Sequence, residues 1–183
     1  MSRHPVLTGL LFLALASIAI AGCSSHGDGT APGDSVLVDG AQHVIWKNLG
    51  GGFGGVPPQG ASCDLSNASY DLDVGAGSLA WSVCRVAGNN YTDPNAYSTA
   101  TGSRVLTADE RAQAIAATRA VTVSDRMTCG ADKSQLTLEV DAASGSIVYG
   151  DDFYSCDKLF AHYVDSGALD QLGTLLDGMA HNP

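Results

Sequence analysis

The chain has 183 residues and a formal net charge of −10, because 19 acidic side chains oppose nine basic ones. An acidic surface repels phosphate, so nucleic acid and anionic lipid headgroups are excluded as expected partners. A basic protein or a cation suits the charge better, although acidity also keeps an exported protein in solution.

The start of the chain predicts export and lipidation. Arg3 precedes an apolar run over 6–21, which is the pattern of a secretory signal peptide and is too short for a membrane-spanning helix. Ile20 and the small residues Ala21 and Gly22 stand directly before Cys23 and resemble the lipobox of bacterial lipoproteins. That resemblance implies that residues 1–22 are removed and that Cys23 becomes the lipidated first residue.

Lipidation implies a membrane anchor. Acyl chains on Cys23, palmitate among them, attach a protein stably to a lipid bilayer. Ser24 follows the cysteine, as in lipoproteins that diderm bacteria send to the outer membrane. We expect a protein anchored by lipid to the outer membrane or the cell membrane, facing the periplasm or the exterior. Residues 23–34 lack large apolar side chains and predict a flexible tether, followed by a single domain over 35–183.

The domain begins with a strand over 43–47, which runs into the glycine-rich segment 50–55. Its glycines fit the spacing of a dinucleotide-binding fingerprint, which must open a helix. Pro57 and Pro58 block that helix, so the segment is predicted as a turn.

A hairpin pattern occurs twice in the chain. Cys63 precedes a strand at 70–74 by the same spacing that separates Cys129 from 136–140, and each strand turns at a Gly-Ser pair into a partner. We predict that Val74 pairs with Leu79 in the first copy and Val140 with Ile147 in the second, which gives each hairpin one apolar face. Asp71 and Asp73 then lie on the solvated face of the first hairpin.

The copies also share closing cysteines, Cys84 and Cys156. An even number of cysteines after a lipidated one predicts two disulfides in an exported protein. The repeat favours Cys63–Cys84 and Cys129–Cys156. No Cys/His spacing typical of a zinc site accompanies them.

A long polar segment and two helices complete the domain. Residues 87–103 predict a loop whose Tyr91 and Tyr97 stand among Asn, Ser and Thr, a composition typical of protein-binding loops. Thr107 and Glu110 form a capping box for a helix to about Arg119, with an inner face of Ala108, Ala112, Ile115, Ala116 and Arg119. Ser166 is predicted to cap a final helix with an apolar stripe of Leu169, Leu172, Leu175, Leu176 and Met179.

Together these elements predict an α+β domain. We expect an antiparallel sheet of about five strands, built from two disulfide-closed hairpins, with two helices on one face. The internal duplication would relate 63–120 to 129–180.

The sequence carries no constellation of catalytic residues that we can identify. His43 and His162 are isolated, and no cysteine remains as a nucleophile if both disulfides form. We therefore predict no enzyme, no cofactor and no metal site. Asp151 and Asp152 suit either a carboxylate pair or a surface turn, and they belong to an insert, 150–154, that only the second hairpin has. The candidate binding residues are Tyr91, Tyr97, Asp151, Asp152 and Tyr154.

Several short motifs together resemble emfourin, the family of small inhibitors of thermolysin-type metallopeptidases. They are the glycine run 51–55, the capped helix from 106–110, Asp132 before the strand 136–140, the acidic pair 151–152, and Leu172 and Leu175 in the final helix. The resemblance covers most of 43–180 and implies a protein inhibitor, but it assigns no inhibitory residue.

The leading hypothesis is a non-catalytic envelope lipoprotein that binds another protein, with peptidase inhibition as one form of that function. The alternatives are an envelope hydrolase or metal-binding enzyme centred on His43, Asp151 and Asp152, and a structural lipoprotein without a specific ligand.

Overall fold

The computed structural model describes residues 28–51, 56–126, 128–130, 133–153 and 159–181. They form an α+β domain with a seven-stranded mixed sheet and two helices. The strands are β1 (Ala41–Leu49), β2 (Asn67–Asp73), β3 (Ser78–Val86), β4 (Tyr97–Val105), β5 (Leu136–Ala142), β6 (Gly145–Asp151) and β7 (His162–Val164). The helices are α1 (Ala108–Ala120) and α2 (Ser166–His181).

The strand order is β4-β3-β2-β1-β5-β6-β7, so β1 lies in the middle of the sheet with one hairpin on each side. All neighbours are antiparallel except β6 and β7, which are parallel. The expectation of about five antiparallel strands is therefore wrong in number and in pairing. The strands that it missed include β4, which occupies the second part of the predicted loop 87–103 and whose inward residues are too small or polar to show an apolar alternation.

Both predicted hairpins are present, but only one has the predicted register. Val140 pairs with Ile147 as expected. In the first hairpin Leu72, not Val74, pairs with Leu79. A shift of two residues leaves every side chain on the same face, so apolar alternation cannot distinguish the two registers.

The inner face of the sheet packs against α2. Val44, Trp46, Leu72 and Leu138 are buried there. The Trp46 Nε1–H donates to the carbonyl of Leu169, 2.8 Å away, and so fixes α2 over the middle of the sheet. The predicted stripe of α2 is confirmed at Leu169, Leu172, Leu176 and Met179, which are buried, whereas Leu175 is half-buried.

The ends and faces of the helices correct two predictions. Asp165, not Ser166, caps α2, because its carboxylate accepts from the Ala168 N–H. The capping box of α1 is confirmed at Thr107 and Glu110. The predicted inner face of α1 is wrong: Ala114 and Thr118 are the buried residues, while Ala108, Ala112, Ala116 and Arg119 are exposed. A helix this rich in alanine has little apolar asymmetry, so its pattern does not identify the packed side.

The predicted tether is docked where the structure describes it. Residues 28–38 run along the domain and exchange backbone hydrogen bonds with Val123, one from Gly33 N–H and one to Asp34 O, both of 2.8 Å. Val36 is fully buried, and the hydroxyl of Tyr149 donates to Gly29 O. Burial raises the pKa of Tyr149 to about 12, with the nearby carboxylates adding to the effect. Residues 28–34 of the predicted tether are therefore packed against the domain.

The Cys63–Cys84 disulfide is present, with its Cα atoms 5.8 Å apart. Cys129 is also disulfide-bonded, and its predicted partner Cys156 lies outside the described residues. So do the signal peptide, Cys23, Asp132 and Tyr154. Within the described ranges, no helix is long and apolar enough to span a membrane.

Candidate functional site

The face of the sheet opposite α2, here called the open face, is polar and carries no helix among the described residues. Cross-strand neighbours define it, because residues paired in register point to the same side. Lys47 pairs with Ser69, Ser69 with Ser82, and Ser82 with Thr101, so these side chains form a row across four strands. An antiparallel sheet commonly has one solvated face of this kind.

One end of the open face is covered by the loop 56–66. The disulfide ties Cys63 in this loop to Cys84 on β3. The Ser62 hydroxyl donates to Tyr97 O, 2.6 Å away, and so ties the loop to the start of β4. Both attachments fix the loop to a rigid strand, so the surface that it forms with the sheet is pre-shaped.

Below this loop the open face forms a groove of about 430 Å³. Its floor comes from β1 to β4, and the disulfide forms one wall. The residues that line it combine hydroxyl, amide and ammonium groups with apolar ones: Lys47, Leu49, Ser62, Asn67, Ser69, Ser82, Val83 and Thr99. We call these residues the groove.

Large apolar side chains are exposed around the groove. Leu49 is 50% exposed and lies in the groove itself, paired in register with Asn67. Leu65, 42% exposed, lies in the loop 56–66, and Tyr91, 56% exposed, lies in the segment joined to the start of β4. The Tyr97 hydroxyl donates to Tyr91 O, 3.0 Å away, and thereby holds this segment. Leu49, Leu65 and Tyr91 are called the rim.

Ion pairs occupy the rest of the open face. Lys47 Nζ lies 3.0 Å from Glu139 Oε2. His43 Nδ1 lies 2.9 Å from Asp71 Oδ1, and its direct neighbours on the adjacent strands are Asp73 and Asp141. The hydrogen bond that the Asp71 carboxylate accepts raises the pKa of His43, and the charges of the nearby aspartates add to this effect. Burial acts in the opposite direction and is weaker than the hydrogen bond. Protonated His43 therefore neutralises part of an acidic surface.

Asp151 and Asp152 are structural residues, and the expected surface turn is wrong. Asp151 is 1% exposed and Asp152 is 8% exposed. Asp151 Oδ2 accepts from the Leu136 N–H at 2.8 Å, which orders the start of β5. Asp152 accepts from the Ser166 N–H and the Ser124 hydroxyl, at 3.0 and 2.7 Å, and joins the start of α2 to the segment after α1.

The two candidate tyrosines that the structure describes, Tyr91 and Tyr97, have different roles. Tyr97 is buried under the disulfide loop and supports Tyr91, which is exposed. His43 lies on the open face, whereas Asp151 lies at the end of β6, where it is bonded to Leu136 at the start of β5. The five steps along β1 from His43 to Asn48, which pairs with Leu136, span roughly 16 Å. The structure does not bring His43 together with Asp151 and Asp152.

The sequence reasoning missed Ser69, Ser82 and Thr99 of the groove. Thr99 lay in the predicted binding loop 87–103 but was not singled out, and the signal for all three was an alternation of small polar residues on β2, β3 and β4. In the part of the chain that the structure describes, no group of three or more His, Cys, Asp or Glu side chains is placed to hold a metal ion.

Comparison with known proteins gives no relative. No family model matches the chain, and searches of curated proteins and of solved structures return no significant match.

Proposed function

We propose that the chain is a lipid-anchored envelope protein that binds another protein through the groove and its rim. The observation that carries the proposal is the exposure of Leu49, Leu65 and Tyr91 around a polar groove that a disulfide-held loop shapes. Tyrosine is among the residues that provide most of the binding energy at protein interfaces, and the exposed leucines add apolar area for a partner to bury.

The shape of the site favours a macromolecule over a small ligand. A volume of about 430 Å³ falls within the range of small-molecule pockets. Such pockets, however, enclose most of their ligand, whereas this groove is open to solvent. Leu49 in the groove and the exposed Leu65 and Tyr91 offer apolar area that a protein surface would cover.

The attachments of the site reduce the cost of binding. The loop 56–66 is fixed at Cys63 and Ser62, and the Tyr91 segment is fixed through Tyr97. A surface that is already ordered loses less conformational entropy when a partner docks, so more of the contact energy contributes to affinity.

The specific form of this proposal is inhibition of a metallopeptidase, which rests on the resemblance of 43–180 to emfourin. The test incubates the protein, at micromolar concentration, with thermolysin and with envelope metallopeptidases. Slowed hydrolysis of a peptide substrate supports inhibition. Unchanged hydrolysis with every peptidase overturns the inhibitor form and leaves the binding proposal to its own test.

The binding proposal is tested with two variants that add the same charge to the open face. Ser82→Arg fills the groove, whereas Val148→Arg changes an exposed residue on β6, beyond β1 and β5. Both variants and the wild type are used to capture proteins from an envelope extract, and the captured proteins are quantified. We expect a protein that the wild type and Val148→Arg retain and that Ser82→Arg loses. Identical capture by all three proteins would contradict the groove as the binding site.

A further inference from the structure

The two edges of the sheet differ in how they are protected. At one edge β7 is only three residues long, and Val123 forms a bridge with Val164 alongside it. The Ser124 N–H donates to Tyr163 O at 2.8 Å, so another backbone group of this edge is also paired. A short edge strand under a covering segment is a common protection against pairing with other chains.

The other edge lacks such protection. β4 has nine residues, contains no proline, and pairs with β3 without a bulge from Tyr97 to Val105. Its residues 97–103 carry no charge. Among the described residues, nothing beyond β3 hydrogen-bonds to the backbone of 98–103. Alternate residues of an edge strand point both N–H and C=O away from the sheet, so this edge presents a row of unpaired donors and acceptors.

We propose that the β4 edge binds an extended, basic polypeptide segment of a partner protein as an additional strand. Unpaired backbone groups in strand geometry are complementary to the main chain of another strand and to little else. The exposed side chains of Ser98, Thr99, Thr101 and Ser103 are small and neutral, so they do not obstruct that approach.

The charge of the molecule selects the kind of segment. A net charge of −10 attracts a segment rich in lysine or arginine and steers its approach. A second copy of this chain carries the same −10, and the two would repel each other as they approach. The basic segment of a different protein is therefore the occupant that the charge favours.

This inference goes beyond the proposed function, because the groove contacts a partner through side chains and the edge would do so through the backbone. The two can fail separately. Leu65→Ser weakens the rim without touching β4, so it is expected to leave binding at the edge unchanged.

The experiment uses a labelled peptide of sequence Lys-Thr-Val-Thr-Val-Thr-Lys and two N-methylated versions of it. One version is methylated at the odd central residues and the other at the even ones. Only one of these sets of amides can face β4 in a given register, because amides alternate in direction along a strand. We expect one methylated peptide to bind about tenfold more weakly than the parent and the other to bind as the parent does. Binding is measured by fluorescence anisotropy with the purified full chain.

Two further measurements locate the site. Hydrogen exchange with and without the peptide should show new protection at alternate amides of 98–103. Ser103→Lys should weaken binding of the basic peptide, whereas Val148→Lys, which adds the same charge far from β4, should leave that binding unchanged. Equal binding by all three peptides, or protection spread over the open face, would overturn the proposal. Protection that arises without peptide and grows with protein concentration would also overturn it, because the occupant would then be a second copy.

Discussion

Buried carboxylates show how single residues join distant parts of this fold. Asp152 accepts hydrogen bonds from the Ser166 N–H at the start of α2 and from the Ser124 hydroxyl after α1. These donors belong to segments far apart in the chain. Their shared acceptor therefore contributes to the stability of the whole domain.

Asp152→Ala is expected to lower the free energy of unfolding by about 2 kcal/mol, because it leaves the partly buried donors without their acceptor. Asp152→Asn, which keeps one acceptor oxygen in place, should lower the free energy of unfolding by less than the alanine variant does. Urea unfolding followed by circular dichroism measures both. An alanine variant as stable as the wild type would show that the carboxylate does not hold these segments together.

His43 makes stability depend on pH in a defined direction. Its pKa is raised above the ordinary value of about 6.5 by the Asp71 hydrogen bond and the surrounding carboxylates. The folded state therefore binds the proton more tightly than the unfolded state. The resulting stabilisation is fully present below about pH 6.5 and is lost as the pH rises through the raised pKa of the folded protein.

His43→Gln is expected to cost a few tenths of a kcal/mol at pH 5.5 and almost nothing at pH 9. The effect is small because both side chains of the pair are more than a third exposed, so solvent screens the interaction. Urea unfolding at the two pH values gives the difference. An equal effect at both values would mean that His43 acts through packing and not through its charge.

Residue roles were the least predictable part of the molecule from sequence. Asp151 and Asp152 stood out as an acidic pair, and their burial and their donors could not be inferred because those donors come from β5, α2 and the segment after α1. Tyr91 and Tyr97 occur in one polar segment, yet one is exposed and the other supports it. The composition of the segment singled out both tyrosines but did not show which one is exposed and which one is buried.

At the scale of elements, α2 lies close to the sheet because of one glycine. A Cβ atom on Gly173 would collide with the indole ring of Trp46. That ring cannot easily move, because its N–H is bonded to Leu169 O. Gly178 in the same helix has open space around its Cβ position. Replacing each glycine with alanine therefore distinguishes the effect of close packing from the effect of helix propensity.

Gly173→Ala is expected to destabilise the protein by about 1 kcal/mol or more, because overpacking against Trp46 outweighs the gain in helix propensity. Gly178→Ala gains the same propensity without a collision and should stabilise the protein by about 0.5–1 kcal/mol. Thermal unfolding of both variants measures the contrast. If both variants were stabilised, α2 would not be held as closely to Trp46 as the structure shows.

Elements with strong local signals were predicted well. The capping box fixed the start of α1, the leucine stripe identified the packed face of α2, and alternation identified both hairpins. β4 was missed because its inward positions, Ala100, Gly102 and Arg104, do not form an apolar face. The packed side of α1 was wrong because alanine is almost as acceptable on an exposed surface as in a core.

At the scale of the molecule, the arrangement leaves one face and one edge of the sheet available. β1 lies between the two hairpins, α2 covers the inner face, and 28–38 docks against the domain. In the described part of the chain, the disulfide-held loop 56–66 is what covers the open face, and it forms the groove with the sheet. A domain with this division between a packed side and a shaped, exposed side is suited to binding a partner, and the proposed lipid anchor would hold it at a membrane.

The most direct test of binding at the groove is photo-crosslinking in intact cells that produce the full chain. A photoreactive amino acid replaces Leu65 or Tyr91 at the rim, or Val148 on the far part of the open face as a control. We predict that irradiation gives a covalent adduct with the same protein from positions 65 and 91 and none from 148. The absence of an adduct at both rim positions, or equal adducts at all three, would contradict binding through the groove and its rim.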